Sequence, residues 1–128
     1  MGAIVVGYVD KPEGRAALHR AVAEAKLRRA KLVVVSSRGA AGPADAALTA
    51  VQAELTGEGL DQEIREPAQG LEPAEDLIAV ADEVAADFIV IGLRRRSPVG
   101  KLILGSNAQR VLLDAPCPVL AVKADPSG

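Results

Sequence analysis

The densest concentration of residues able to do chemistry runs from Gly92 to Val111, GLRRRSPVGKLILGSNAQRV. It combines the glycines Gly92, Gly100 and Gly105 with the cations Arg94, Arg95, Arg96 and Lys101, and then enters a helical pattern at Ser106 and Asn107. Glycine lets a backbone approach an anion closely. A helix N-terminus offers unpaired N–H groups and partial positive charge, and guanidinium groups add paired donors with full charge. This combination suits an anionic ligand, most naturally a phosphate chain. A purely structural reading of the same residues stays open. Ser106 followed by Gln109 reads as a capping box, Gly92 and Gly105 as turn residues, and the arginines as a solvated loop.

Other phosphate loops are excluded by spacing. A Walker loop needs Gly five positions before the Gly-Lys pair and Ser or Thr after it, whereas Gly100-Lys101 has Arg95 upstream and Leu102 downstream. A dinucleotide fingerprint would follow the first apolar run, where the chain reads DKPEGR. Asp10, which closes that run, has two compatible readings. It is a ligand contact, or with Glu13 it forms an Asp-x-x-Glu helix start with Pro12 in the first turn. His19 is the only histidine, lies in a helical stretch and has no catalytic partner in view, so it reads as a surface or packing residue. Cys117 stands alone between two prolines, so it reads as a small apolar residue and not as a redox centre.

The elements that must position these residues are short apolar runs alternating with helical periodicity. Ala3–Val9, Leu32–Val35, Phe88–Ile91 and Val119–Val122 are continuous rather than alternating, as expected of strands covered on both faces. Gln62–Glu66 is a weaker run and suits an exposed edge. Between them, apolar residues recur at helical spacing. The first set is Ala17, Leu18, Ala21, Val22 and Ala25, and the second Ala44, Ala47, Leu48, Val51 and Leu55, closed by Gly57 and Gly59. The third is Ala74, Leu77, Ile78, Ala81, Val84 and Ala85, opened by Pro73, and the fourth Ala108, Val111, Leu112 and Ala115. The order β-α-β-α-β-α-β-α-β predicts an α/β three-layer sandwich, a five-stranded parallel sheet with helices on both faces. The whole chain, residues 1–128, reads as one domain. In such a sheet ligands sit beyond the carboxyl ends of the strands. That directs attention to Asp10, Ser36–Ser37, Pro67–Gly70 and Gly92–Gly105.

Composition narrows the class further. The 128 residues carry 15 Lys and Arg against 17 Asp and Glu, a net charge of −2, with no Trp, one Tyr and one Phe. Such a chain lacks both the basic surface and the stacking platforms of a nucleic-acid binder. A single Cys rules out an intrachain disulfide and fits a reducing compartment. No basic leader and no apolar run long enough for a membrane span appears, so a soluble cytoplasmic protein without membrane contact is expected.

The chain resembles the universal stress protein (UspA-like) family. The resemblance rests on the strand-helix order, on Asp10 closing the first run, and above all on IGLRRRSPVGKLILGSNAQRVLLDAPCPVLAVK, Ile91 to Lys123. ATP-binding members of that family carry Gly, two residues, Gly, nine residues, Gly, then Ser or Thr before a helix, and later Ala-Pro-Cys-Pro-Val. Gly92, Gly105 and Ser106 match, as do Ala115 to Val119. Arg95 stands in place of the second glycine, and Ser37 stands where a Val flanks adenine in ATP binders. The resemblance implies a doubly wound fold of the adenine nucleotide hydrolase-like or flavodoxin-like kind. It implies a stress-response module binding ATP, with Mg, or a related adenine nucleotide. The implied contacts are Asp10, Ser37, Gly92, Arg94, Arg95, Arg96, Gly100, Lys101, Gly105, Ser106 and Asn107. It also implies a homodimer paired through Val119–Val122. The alternatives are a homodimeric interaction protein of the same family that binds no nucleotide, and a weak ATP hydrolase.

Overall fold

The computed structural model describes residues 2–9, 11–36, 49, 52–53, 56–57, 59–65, 72–93 and 106–123. The strands are β1 (Ala3–Tyr8), β2 (Lys31–Ser36), β3 (Gln62–Arg65), β4 (Phe88–Leu93) and β5 (Val119–Lys123). The helices described with both bounds are α1 (Pro12–Arg28), α2 (Pro73–Glu83) and α3 (Ser106–Asp114). Thr49, Gln52, Ala53, Thr56 and Gly57 are also helical. They fall in the second predicted helical stretch, whose apolar residues Ala44, Ala47, Leu48, Val51 and Leu55 lie outside the described residues. Gly57 is helical and Gly59, at φ 74°, is already in a turn, so the stretch closes at these glycines.

All strands are parallel, in the order β3-β2-β1-β4-β5. The continuous apolar runs are explained by the two faces they cover. Ile4, Val6, Leu32, Val34 and Val90 pack with Ala17, Leu18, Ala21 and Ala25 of α1. Val5, Val33, Val35, Ile89 and Ile91 pack with Leu77, Val80 and Ala81 of α2 and with Val111 of α3. These two clusters make the three layers. β3 is half-buried along its length, as its single large apolar residue foretells.

The predicted apolar faces need two corrections. Val80 is buried, whereas Ala85 is exposed. The α2 helix stops at Glu83 and Ala85 takes φ 52°, so its side chain leaves the helical period. In α3 only Val111 is buried, and Leu112 is 40% exposed.

α1 also begins differently from the Asp10 reading. Its N-cap is Lys11, extended at φ −147°, with Pro12 opening the first turn as expected. Asp10 itself lies outside the described residues.

Candidate functional site

The sheet order reverses at β1, which leaves toward β2 on one side and meets β4 on the other. At such a reversal the connections diverge to opposite faces and open a crevice beyond the carboxyl ends of the strands. A cavity of about 270 Å³ lies there, lined by Tyr8, Ser36, Asp76, Leu77, Gly92 and Asn107 among others. Its walls come from the ends of β1, β2 and β4 and from the first turns of all three fully described helices.

Two glycines set how closely α1 approaches this end. A Cβ on Gly14 would stand 1.9 Å from the Val9 carbonyl oxygen, and a Cβ on Gly92 would stand 2.0 Å from the Glu13 carbonyl oxygen. Any side chain at either position would push α1 off the sheet. Gly92 has no left-handed φ, so turn geometry does not explain it. Close backbone contact with α1 does.

The lining is mainly apolar, with a few polar groups set into it. Ser36 and Asp76 are each only 8% exposed. Asp76 sits in the first turn of α2, where the aligned peptide dipoles favour a carboxylate. At the rim, the Ala74 N–H donates to Asn107 Oδ1 at 3.2 Å, joining the starts of α2 and α3. Arg110 and Glu75 add an ion pair at 3.6 Å between the same helices. The α3 helix starts at Ser106 itself, so Ser106 is a first-turn residue and not the N-cap that a capping box with Gln109 requires.

This arrangement can hold a small molecule whose apolar body fills the cavity and whose acceptor groups face the helix starts. Such a small number of placed polar groups in an apolar hollow is the usual form of a ligand site. A model of the universal stress protein family matches residues 1–123. The chain belongs to that family.

Relatives agree over nearly the full length. A universal stress protein of Mycolicibacterium smegmatis is 44% identical over 126 residues, covering 94% of this chain and 96% of its own. A universal stress protein solved in complex with cAMP superimposes with a TM-score of 0.73 at 26% identity, covering 97% of this chain and 98% of its own. One from Archaeoglobus fulgidus, solved in complex with dAMP, gives 0.68 at 29% identity, covering 96% and 98%. The α/β fold expected from the sequence is the fold these universal stress proteins share.

Of the residues expected to form the site of this universal stress protein, Gly92 and Asn107 line the cavity, and Ser106 is exposed at the start of α3. Asp10, Ser37, Arg94, Arg95, Arg96, Gly100, Lys101 and Gly105 lie outside the described residues, as do Pro67–Gly70. Tyr8, Asp76 and Leu77 were not anticipated in the cavity. Only the rank of Tyr8 as the single Tyr, at a strand end, hinted at its place. His19 is exposed on α1. Cys117 is half-buried, and its thiol is pushed above the usual value first by burial and then by the nearby Asp87 charge. Among the described residues no group of three or more His, Cys, Asp and Glu side chains could hold a metal ion, and no helix is long and apolar enough to cross a membrane.

Proposed function

We propose that this universal stress protein is a binding module for ATP or a related adenine nucleotide, with a regulatory or protective role under stress, and that it binds rather than turns over its ligand. The observation that carries the reading is the position of the cavity, at the reversal of the sheet order with the start of α3 at its rim. The relatives solved with cAMP and dAMP support it. In this reading the apolar lining takes the base and sugar, close to Asp10 and Ser37. The first-turn amides and hydroxyl of Ser106 and the amide of Asn107 take phosphate, with Gly92, Gly100 and Gly105 shaping the loop. Arg94, Arg95, Arg96 and Lys101 supply charge. Magnesium is held largely through phosphate oxygens, so it would enter with ATP. Mass spectrometry of small molecules released from the purified protein tests the reading, together with calorimetric titration by AMP, cAMP and ATP-Mg. Protein that releases no nucleotide and gives no heat with any of the three overturns it.

One observation favours a second reading, a homodimeric interaction protein that binds no nucleotide. The contact of Gly92 with the Glu13 carbonyl accounts for the first motif glycine without a ligand. A Ser106→Ala variant that melts lower but keeps full ATP affinity supports this second reading. In both, pairing runs through β5. It is the edge strand beside β4, with Val119, Leu120 and Val122 half-buried and Ala121 exposed. Unpaired edges invite pairing. Ala121→Asp is expected to lower the mass seen in sedimentation, and an unchanged mass contradicts this mode of association.

A further inference from the structure

The α2 helix lacks an ordinary cap for its second amide. Pro73 opens the helix and has no N–H, and the capping box between Glu72 and Glu75 serves the Glu75 and Glu72 amides, which leaves the Ala74 N–H to find its acceptor elsewhere. The first turn of a helix leaves its amides unpaired unless something outside supplies an acceptor. For Ala74 that acceptor comes from another helix, as Oδ1 of Asn107 at 3.2 Å. This bond also fixes how the Asn107 amide is turned. A backbone N–H can only donate, so the atom facing it must be the side-chain oxygen, and the two N–H donors of Nδ2 are left for another partner. Asn107 and Ala74 both line the cavity. The donors of Nδ2 therefore belong to the same cavity rim as the start of α3, and donors gathered at a helix start suit a group that only accepts, such as a phosphate oxygen. The Arg110–Glu75 pair, 3.6 Å apart, holds the same two helices in register beside this contact.

We infer that Asn107 is a two-sided positioning residue: its side-chain oxygen caps α2, and its amino group is thereby turned toward the phosphate of the bound ligand. The ligand half rests on the nucleotide reading above, whereas the capping half does not. It also adds to the backbone amide role given to Asn107 in the nucleotide reading, because here the side chain couples occupancy of the cavity to the start of α2.

Two variants separate the halves. Asn107→Asp keeps an oxygen for the Ala74 N–H but removes both donors, and Asn107→Ala removes everything. Hydrogen exchange of the Ala74 amide and the melting temperature are read without ligand, and AMP and adenosine are titrated in parallel. For Asn107→Asp the expected result is wild-type protection of Ala74 and a melting temperature near wild type. Its affinity for AMP falls about tenfold or more, the scale of a charge-assisted hydrogen bond, while adenosine affinity is unchanged. For Asn107→Ala, protection of Ala74 is lost and melting falls by about 4 °C, the scale of one lost hydrogen bond in a chain of this size. An Asn107→Asp variant that binds AMP as wild type does overturns the ligand half. An Ala74 amide that exchanges equally fast in wild type and Asn107→Ala overturns the capping half. Wild-type protein that binds none of AMP, cAMP and ATP-Mg overturns the nucleotide reading and the ligand half with it, and Ala74 exchange then judges the cap by itself.

Discussion

The two ends of the parallel sheet are built to opposite specifications. At the amino end the strand starts are tied directly to their neighbours. Lys31 N–H donates to the Gly2 oxygen, Leu32 to Asp61, Asp87 to Ala3 and Ile89 to Pro118, all within 2.8–3.0 Å. The helices reach this end through tight left-handed turns at Arg29 and Ala85. The hollow there is the larger one, about 990 Å³, but it is bordered by Lys26, Arg29, Lys31 and Asp61. At the carboxyl end the hollow is about 270 Å³ and largely apolar, with Ser36 and Asp76 buried in it. The difference teaches that size is a poor guide to function. Charged groups that water already solvates cost nothing to leave exposed, whereas a buried carboxylate in an apolar wall must be compensated. The amino end closes the fold, and the carboxyl end sets a few polar groups into an apolar hollow, where the start of α2 favours the Asp76 carboxylate.

The largest test of this contrast is at the carboxyl end. Ala in place of Gly within a helix normally stabilises by about 1 kcal/mol. At Gly14, inside α1, the sign is expected to reverse, because the new Cβ would stand 1.9 Å from the Val9 oxygen. Gly14→Ala and Gly92→Ala should each destabilise by about 2–3 kcal/mol, the cost of overpacking a fitted contact. Urea denaturation reads this directly. A neutral or stabilising effect would show that α1 does not press on the strand ends, and the shape of the cavity would then have to be reconsidered.

A smaller effect of opposite sign is expected at the amino end. After α2, the Ala86 N–H bonds the Ala81 oxygen at 3.0 Å and the Ala85 N–H bonds the Asp82 oxygen at 3.3 Å. That is the paired pattern of a helix terminated by a left-handed residue, a place glycine usually fills. Ala85 occupies it at φ 52° and is exposed. Ala85→Gly should therefore stabilise by about 1 kcal/mol, the steric cost of a left-handed Ala, and should leave nucleotide affinity alone. A loss of stability would mean that the turn is not strained. A change in affinity would mean that the two ends are coupled.

The two ends also differ in how much the sequence discloses. Strands covered on both faces must be largely apolar, so the runs Ala3–Val9, Leu32–Val35 and Phe88–Ile91 mark β1, β2 and β4 to within two residues at either end, and the helical crossover between the first two follows from the spacing of Ala17, Leu18 and Ala21. Sites at strand ends were anticipated by topology alone. What could not be read was convergence. Asp76 looks like any polar residue of an amphipathic helix until α2 is laid against β1. The reason for Gly92 is a carbonyl at Glu13, and the partner of Asn107 is the amide of Ala74, both distant along the chain. Contacts between segments leave no local trace in spacing. Helix ends were misread for a related reason: Ala85 fits the apolar period, but the backbone turns before it arrives.

The smallest expected effect concerns charge at the exposed edge, where β3 joins the amino end of β2 and the last turn of α2. Glu63 receives Lys31 Nζ at 3.0 Å and the guanidinium of Arg65, which also reaches Glu83 at 2.7 Å. The hydrogen bonds from Lys31 and then Arg65 hold the Glu63 carboxyl below its ordinary value of 4.5, and Arg65 does the same for Glu83. A carboxyl with a depressed folded-state value contributes stability that is present above about pH 4.5 and is lost as the pH falls through the folded value. The side chain of Glu63 is 35% exposed, so water and salt screen the pair. The Lys31–Glu63 contribution should not exceed about 1 kcal/mol. The expected outcome is a urea midpoint that declines between pH 5 and pH 3 in low salt, with a shallower decline in Glu63→Gln and in high salt. The carboxyl-end cavity contains neither residue, so nucleotide affinity at pH 6 should be the same in wild type and Glu63→Gln. If the midpoint declines equally in both proteins, the network contributes nothing, and the amino end is closed by its backbone bonds and turns rather than by its charges.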